Sequence, residues 1–249
     1  MSIKRRDFLR TAAGSGLLLA AGTAPAWGAS AEPELPPKAV GILYDSNLCI
    51  GCQACMTACK QANDMPAEHF GVNDTWDNPL DLSSKTLNII KMYSQGPERA
   101  FVKRQCLHCL EPSCAAACPV SALRKDPETG VVTYDKNACI GCRYCQIACP
   151  YNVPKFEWND PFPQIRKCQL CDHLYDQGRY AACCEVCPTG ASLFGPVEEL
   201  KKEARRRLLM EPGRSYDFPV NHIQKKETKT HQAKPYLDHI YGAKELGGT

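Results

Sequence analysis

The chain has 249 residues, 23% of them charged and 44% hydrophobic, with a formal net charge of +3 and 17 cysteines. Lys4, Arg5, Arg6 and Arg10 against Asp7 supply that whole positive excess, so the remainder is formally balanced and no basic nucleic-acid footprint survives. The length allows one or two compact domains, and the scarcity of long apolar runs beyond the N-terminal region excludes a large aliphatic core.

In chain order, KRRDFLR at residues 4–10 precedes an uncharged stretch of small residues and leucine from Thr11 to Ala24, the form of a twin-arginine export signal. A-x-A sites stand at Ala24-Pro25-Ala26 and Ala29-Ser30-Ala31, and Pro33, Pro36 and Pro37 mark a linker. Residues 1–31 are therefore read as signal and start of linker. That route carries proteins already folded, so metal groups loaded in the reducing cytoplasm are compatible with export.

A short strand is expected at Gly41 to Tyr44, followed by Cys49, Cys52, Cys55 and Cys59 in the spacing C-x2-C-x2-C-x3-C. Bacterial ferredoxins hold cubane clusters with this run, the fourth cysteine serving the other cluster of a pair. Gly51 lets the backbone curl around such a group. Residues 60–100, with Trp76, form an insertion that reads either as a partner contact or as a loop covering a cluster.

Cys106, Cys109, Cys114 and Cys118 follow with a longer middle gap. Turn residues Asp126 to Gly130 and a strand at Val131 to Tyr134 lead into Cys139, Cys142, Cys145 and Cys149, which repeat the first spacing around Gly141. The fourth group is Cys168, Cys171, Cys183 and Cys187. Three groups close on Cys-Pro, and YDSNLCIGCQACMTAC at 44–59 recurs as YDKNACIGCRYCQIAC at 134–149, implying related halves. Disulfides need geometry that cysteines this close in sequence often cannot reach, and structural zinc usually shows two separated C-x2-C pairs. Sixteen cysteines are accordingly read as iron ligands of four 4Fe-4S clusters. Lys60, Lys103, Arg104, Arg143 and Lys167 read either as compensation for cluster charge or as a solvated basic surface.

The compact span 106–149 suits one dicluster unit, leaving the first and fourth groups for each other. Exchange of fourth cysteines then gives four sites: Cys106, Cys109, Cys114 with Cys149; Cys139, Cys142, Cys145 with Cys118; Cys49, Cys52, Cys55 with Cys187; and Cys168, Cys171, Cys183 with Cys59. Cys184 could replace Cys183, but Cys183 keeps the x3 spacing, so Cys184 is read as a free or packing thiol. His108 is read as a packing residue or as one that tunes a cluster from outside its ligand set.

A helix is expected at 197–209, with Glu198 and Glu199 in its first turn and Arg205, Arg206 and Arg207 near its end. No nucleophile–base pair, phosphate loop or acid pair is evident, so the chain itself is not expected to catalyse. The fold class is α+β: two ferredoxin-like dicluster units, a cluster-centred core, short strands and helices. The segments are 32–103 for the first motif and insertion, 104–150 for the inner dicluster unit, 151–195 for the motif completing the outer unit, and 196–249 for the helix and a polar C-terminal extension.

LYDSNLCIGCQAC (43–55), KRQCLHCLEPSCAAACPVSALRKDPETGVV (103–132), CIGCRYCQIACPYNVPKF (139–156), KCQLC (167–171), CEVCPTGA (184–191) and IYGAKELGGT (240–249) together resemble the four-cluster iron-sulfur subunits of exported respiratory oxidoreductases. Among these the chain is most similar to the electron-transfer subunit of hydrogenase-2-type nickel-iron hydrogenases. The resemblance implies four 4Fe-4S clusters, with Cys114 standing where some relatives carry Trp and a 3Fe-4S cluster. It also implies partnership with hydrogenase small and large subunits and with an integral membrane, quinone-reactive subunit, at the periplasmic face of the cytoplasmic membrane. The same resemblance admits a beta subunit of a molybdopterin oxidoreductase acting on tetrathionate, thiosulfate or polysulfide, sulfoxide or formate. The hydrogenase relatives continue into a membrane-anchoring helix, which implies either such a helix beyond Thr249 or an anchor supplied by the partner.

Overall fold

The computed structural model describes residues 34–68 and 78–242. The segment read as an export signal, Trp76 and the tail after Gly242 lie outside the described residues. The chain divides after Glu34, and the cysteine groups all belong to the unit that begins at Leu35.

Two strand pairs organise this unit, one nested inside the other. β1 (Val40–Tyr44) runs antiparallel to β8 (Ser192–Pro196), with Val40 opposite Pro196 and Tyr44 opposite Ser192. Inside them, β4 (Leu123–Lys125) pairs antiparallel with β5 (Val132–Tyr134), Leu123 opposite Tyr134. In both pairs the strand leaving a Cys-Pro turn returns to the strand that enters a C-x2-C loop. The expected strands are present, Gly41 to Tyr44 within β1 and Val132 to Tyr134 as β5.

Short helices follow the same nesting. α1 (Ala54–Ala62) carries Cys55 and Cys59 and packs on α4 (Ala182–Glu185), which carries Cys183 and Cys184. α2 (Ser113–Ala116) carries Cys114 and packs on α3 (Tyr144–Ala148), which carries Cys145.

Two hairpins act as covers. β2 (Ile89–Gln95) and β3 (Glu98–Arg104) are formed by the insertion, and β6 (Lys155–Phe156) pairs with β7 (Ile165–Arg166). Phe101 from the first lies against Gly51 and Phe156 from the second lies near Gly141. Tyr44 donates its hydroxyl to the Phe101 carbonyl at 2.9 Å, and the buried Asn88 donates to the Cys55 carbonyl at 3.1 Å. The described part of the insertion therefore covers the first cysteine loop.

α5 (Val197–Leu208) begins after Pro196 and places Val197, Leu200, Glu203, Ala204 and Arg207 against the body of the protein, as an i, i+3, i+4 face requires. The segment after it departs from the expected polar extension. β9 (Ser215–Pro219) and β10 (Thr228–Gln232) form an antiparallel hairpin whose Phe218 is fully buried with Leu48, Ala191, Met210 and Ala233. The Pro-rich linker is also partly anchored: Val40 N–H donates to the Thr129 carbonyl at 3.1 Å and Lys38 N–H to the Glu128 carbonyl at 2.9 Å.

Candidate metal centres

Four C-x2-C loops turn in the same way. The residue immediately before the second cysteine has positive φ in each: Gly51 at 71°, His108 at 48°, Gly141 at 69° and Leu170 at 58°. Glycine adopts this conformation freely, whereas a side chain at such a position costs on the order of 1 kcal/mol or more. His108 and Leu170 are held there by burial, and the His108 Nδ1 accepts from the Val132 N–H at 3.0 Å. That bond leaves the proton of the neutral ring on Nε2, which has no partner among the described residues. Burial, with Lys167 nearby, keeps the ring well below its ordinary pKa.

The cysteines of the first and fourth groups line two cavities. Cys59, Cys168, Cys171 and Cys183 line one cavity, and Cys49, Cys52, Cys55 and Cys187 line another. In the inner half, burial pushes the Cys114 thiol up to about 11, with Lys167 drawing it back and Cys106, Cys149 and Cys109 adding to the rise. Burial likewise pushes Cys145 up to about 12, reinforced by Cys114, Cys139, Cys118 and Cys142. Among the described residues no three His, Cys, Asp or Glu side chains are gathered tightly enough to hold a single metal ion. The two outer quartets surround a space instead.

Cysteine sulfurs already accept from the backbone. Gly141 N–H donates to Cys139 Sγ at 3.4 Å, Leu170 N–H to Cys168 Sγ at 3.4 Å and Ser192 N–H to Cys187 Sγ at 3.3 Å. Burial pushes both Cys55 and Cys59 up to about 12, so in the absence of a counter-charge these sites hold protonated thiols. Metal coordination deprotonates a thiol outright.

Lys103 stands among the cysteines of the outer quartets. The Lys103 ammonium donates to the Ser192 hydroxyl at 3.2 Å. Burial opposes its charge, but Cys183, Cys184 and Cys55 beside it outweigh that and hold it above its ordinary value. Cys183 is held down as the thiolate by a hydrogen bond from Cys184, against burial and with help from Lys103. Cys184, fully buried, is pushed up by burial and by the Cys183 charge. It packs in the core and donates to its neighbour, while Cys183 faces the cavity. Soft thiolates around a void, amide donors aimed at sulfur and cations facing the thiolates fit an iron-sulfur cluster.

Sequence reasoning had no signal for Asn63, which donates to the Cys59 carbonyl at 2.8 Å and approaches Cys59 Sγ at 3.8 Å. The repeated tyrosines were visible only as repeats. Tyr44 and Tyr134 each place a hydroxyl at the first cysteine of the following loop, Cys49 and Cys139, and both phenols are raised, mainly by burial.

Residues 98–197 match the family described as 4Fe-4S dicluster domain. The chain is 44% identical over 261 aligned residues, covering 99% of it and 79% of the relative, to the hydrogenase-2 operon protein HybA of Escherichia coli O157:H7. It is 34% identical to the nitrate-inducible formate dehydrogenase iron-sulfur subunit of Escherichia coli K12, over 72% of this chain and 61% of that one. The formate dehydrogenase iron-sulfur subunit of Haemophilus influenzae is 36% identical, over 70% of this chain and 57% of its own. The chain belongs to this family of 4Fe-4S iron-sulfur proteins, which includes HybA and the iron-sulfur subunits of formate dehydrogenases.

Proposed function

We propose that the chain is a non-catalytic electron-transfer subunit holding four 4Fe-4S clusters in two ferredoxin-like dicluster units. In this reading it relays electrons between the small and large subunits of a periplasmic-side nickel-iron hydrogenase and a membrane quinone-reactive subunit. The observation that carries the hydrogenase assignment is the 44% identity to HybA across 99% of the chain. The formate dehydrogenase subunits stand lower, at 34% and 36%.

Each quartet of thiolates would hold one cluster, and a bound cluster supplies reversible one-electron storage. The rest falls to the protein. Phe101 and Phe156 lie over the first and third loops, limiting water, and backbone amides donate to the cysteine sulfurs. The quartets also succeed one another through neighbouring cysteines: Cys183 acts on Cys55, Cys106 on Cys168, and Cys114 on Cys145. This succession supports a single path from the first quartet through the fourth and second to the third. Beside the third quartet, Ile140, Tyr144, Ile147, Trp158 and Phe162 are exposed, a suitable contact surface for a redox partner.

Purification of cluster-loaded protein from its native membrane, followed by identification of the copurifying catalytic subunit, tests the assignment. A nickel-iron subunit pair is expected; a molybdopterin subunit contradicts it.

A further inference from the structure

Lys167 is 4% exposed. Among the described residues none of the ion pairs includes it, whereas the comparably buried Arg207 is paired with both Asp45 and Glu203. Its ammonium donates to the carbonyls of Val132 and, at 2.8 Å, Cys168, and stands 4.0 Å from Cys106 Sγ. Neutral carbonyls do not balance a buried charge, and an unpaired ammonium in a protein interior is strongly unfavourable. The fold has therefore kept a cation where an anion is due.

The position identifies that anion. Cys106 belongs to the second quartet and Cys168 to the fourth, and Cys106 is the cysteine that acts most on Cys168. Lys167 thus lies where the inner and outer halves of the molecule meet. β5 fixes it there: Val132 accepts from Lys167 through its carbonyl and donates to His108 through its N–H. Lys103 holds a comparable relation to Cys55 and Cys183 within the outer half.

We propose that Lys167 is a positioning residue for electron transfer, acting as the shared counter-cation of the two clusters that meet at this junction and raising the reduction potential of both. The inference rests on the cluster assignment proposed above. A fixed positive charge stabilises the added electron at either end of the step, because reduction makes each cluster more negative. One electron would leave the cluster held by one quartet and enter that held by the other, with Lys167 placed beside both quartets. A cation common to both ends lowers the energy of both reduced states, so it smooths the crossing without choosing its direction.

The test is a potentiometric titration followed by EPR on the anaerobically purified full chain, comparing wild type with Lys167→Gln. Glutamine removes the charge and keeps N–H donors, on a side chain one atom shorter. With iron and sulfide content equal to wild type, two of the midpoints should move to lower potential while the others stay. Unmoved midpoints in a fully loaded variant overturn the proposal. If the variant does not load, wild-type protein labelled with nitrogen-15 at the lysine side-chain amine decides: pulsed EPR of the reduced clusters should show a lysine nitrogen coupling, and its absence overturns the proposal. Wild-type protein with no iron-sulfur signal at all overturns the cluster assignment itself, a failure distinct from loaded clusters with unchanged potentials.

Discussion

The Arg207 guanidinium donates to the Asp45 carboxylate at 2.8 Å with both side chains buried, joining the entrance of the first cysteine loop to α5 across 162 positions of sequence. Asp45 also accepts from the Asn47 N–H at 2.9 Å and the Tyr236 hydroxyl at 2.7 Å, so one carboxylate ties the loop, the helix and the C-terminal segment together. Removing one partner of a buried pair leaves the other charge uncompensated, at a cost of about 3–5 kcal/mol, and because Glu203 still faces Arg207 the cost here falls below that range. Asp45→Asn should lower the denaturant midpoint of the cluster-loaded protein. Adding Arg207→Met should recover much of the loss, and an unchanged midpoint in the single variant would remove the pair from the account.

The two ferredoxin-type loops should respond differently to the same substitution. A Cβ at Gly51 would lie 2.4 Å from the Phe101 ring, whereas one at Gly141 meets Phe156 at 3.6 Å. Both have positive φ, so each Ala variant carries about 1–2 kcal/mol of backbone strain, but only Gly51→Ala must also displace an aromatic cover. Gly51→Ala is expected to bleach faster in air than Gly141→Ala, and Phe101→Leu added to it should relieve the clash without restoring the cover. Equal bleaching rates would show that Phe101 does not seal the loop.

Acid should weaken the anchor of α5. Burial alone would raise the Glu203 carboxyl, but donors from Arg206 and Arg207 hold it below its ordinary range. A folded value below the unfolded one means that this contribution is fully present above the unfolded carboxyl pKa, about 4.3, and is lost as pH falls through the folded value. The stability difference between wild type and Glu203→Gln is therefore expected to be constant near neutrality and to shrink on acidification below about pH 4.3. A difference that grows on acidification would reverse the assignment.

Export offers a test independent of the metal sites. Replacing Arg5 and Arg6 by Lys keeps the charge but removes the paired guanidinium groups, and is expected to leave cluster-loaded protein in the cytoplasm. Continued appearance outside the cytoplasm, measured by fractionation, would count against a twin-arginine signal.

Much of the site was legible because cluster binding constrains sequence locally. Fixed spacing and the trailing prolines marked the four groups, the compact span 106–149 led to the nested grouping, and the strand pairs β1–β8 and β4–β5 are nested in the same way. Gly51 and Gly141 announced the positive-φ turn of their loops. His108 and Leu170 did not, because buried side chains held in a strained conformation by their surroundings carry no glycine signal. The β9–β10 hairpin was also invisible: only Phe218 among its residues is deeply buried, too little to show an alternating pattern. The role of the insertion as a cover depends on Phe101 meeting Gly51, a contact between distant residues that spacing alone does not encode.

The four-cluster assignment is most directly tested by iron, zinc and acid-labile sulfide determination on anaerobically purified protein, with Mössbauer spectra to identify the cluster type. About sixteen iron and about sixteen sulfide per chain are expected, all in 4Fe-4S form, four of each for every quartet of cysteines. Zinc in place of iron, or about half that iron with two quartets empty, would contradict it.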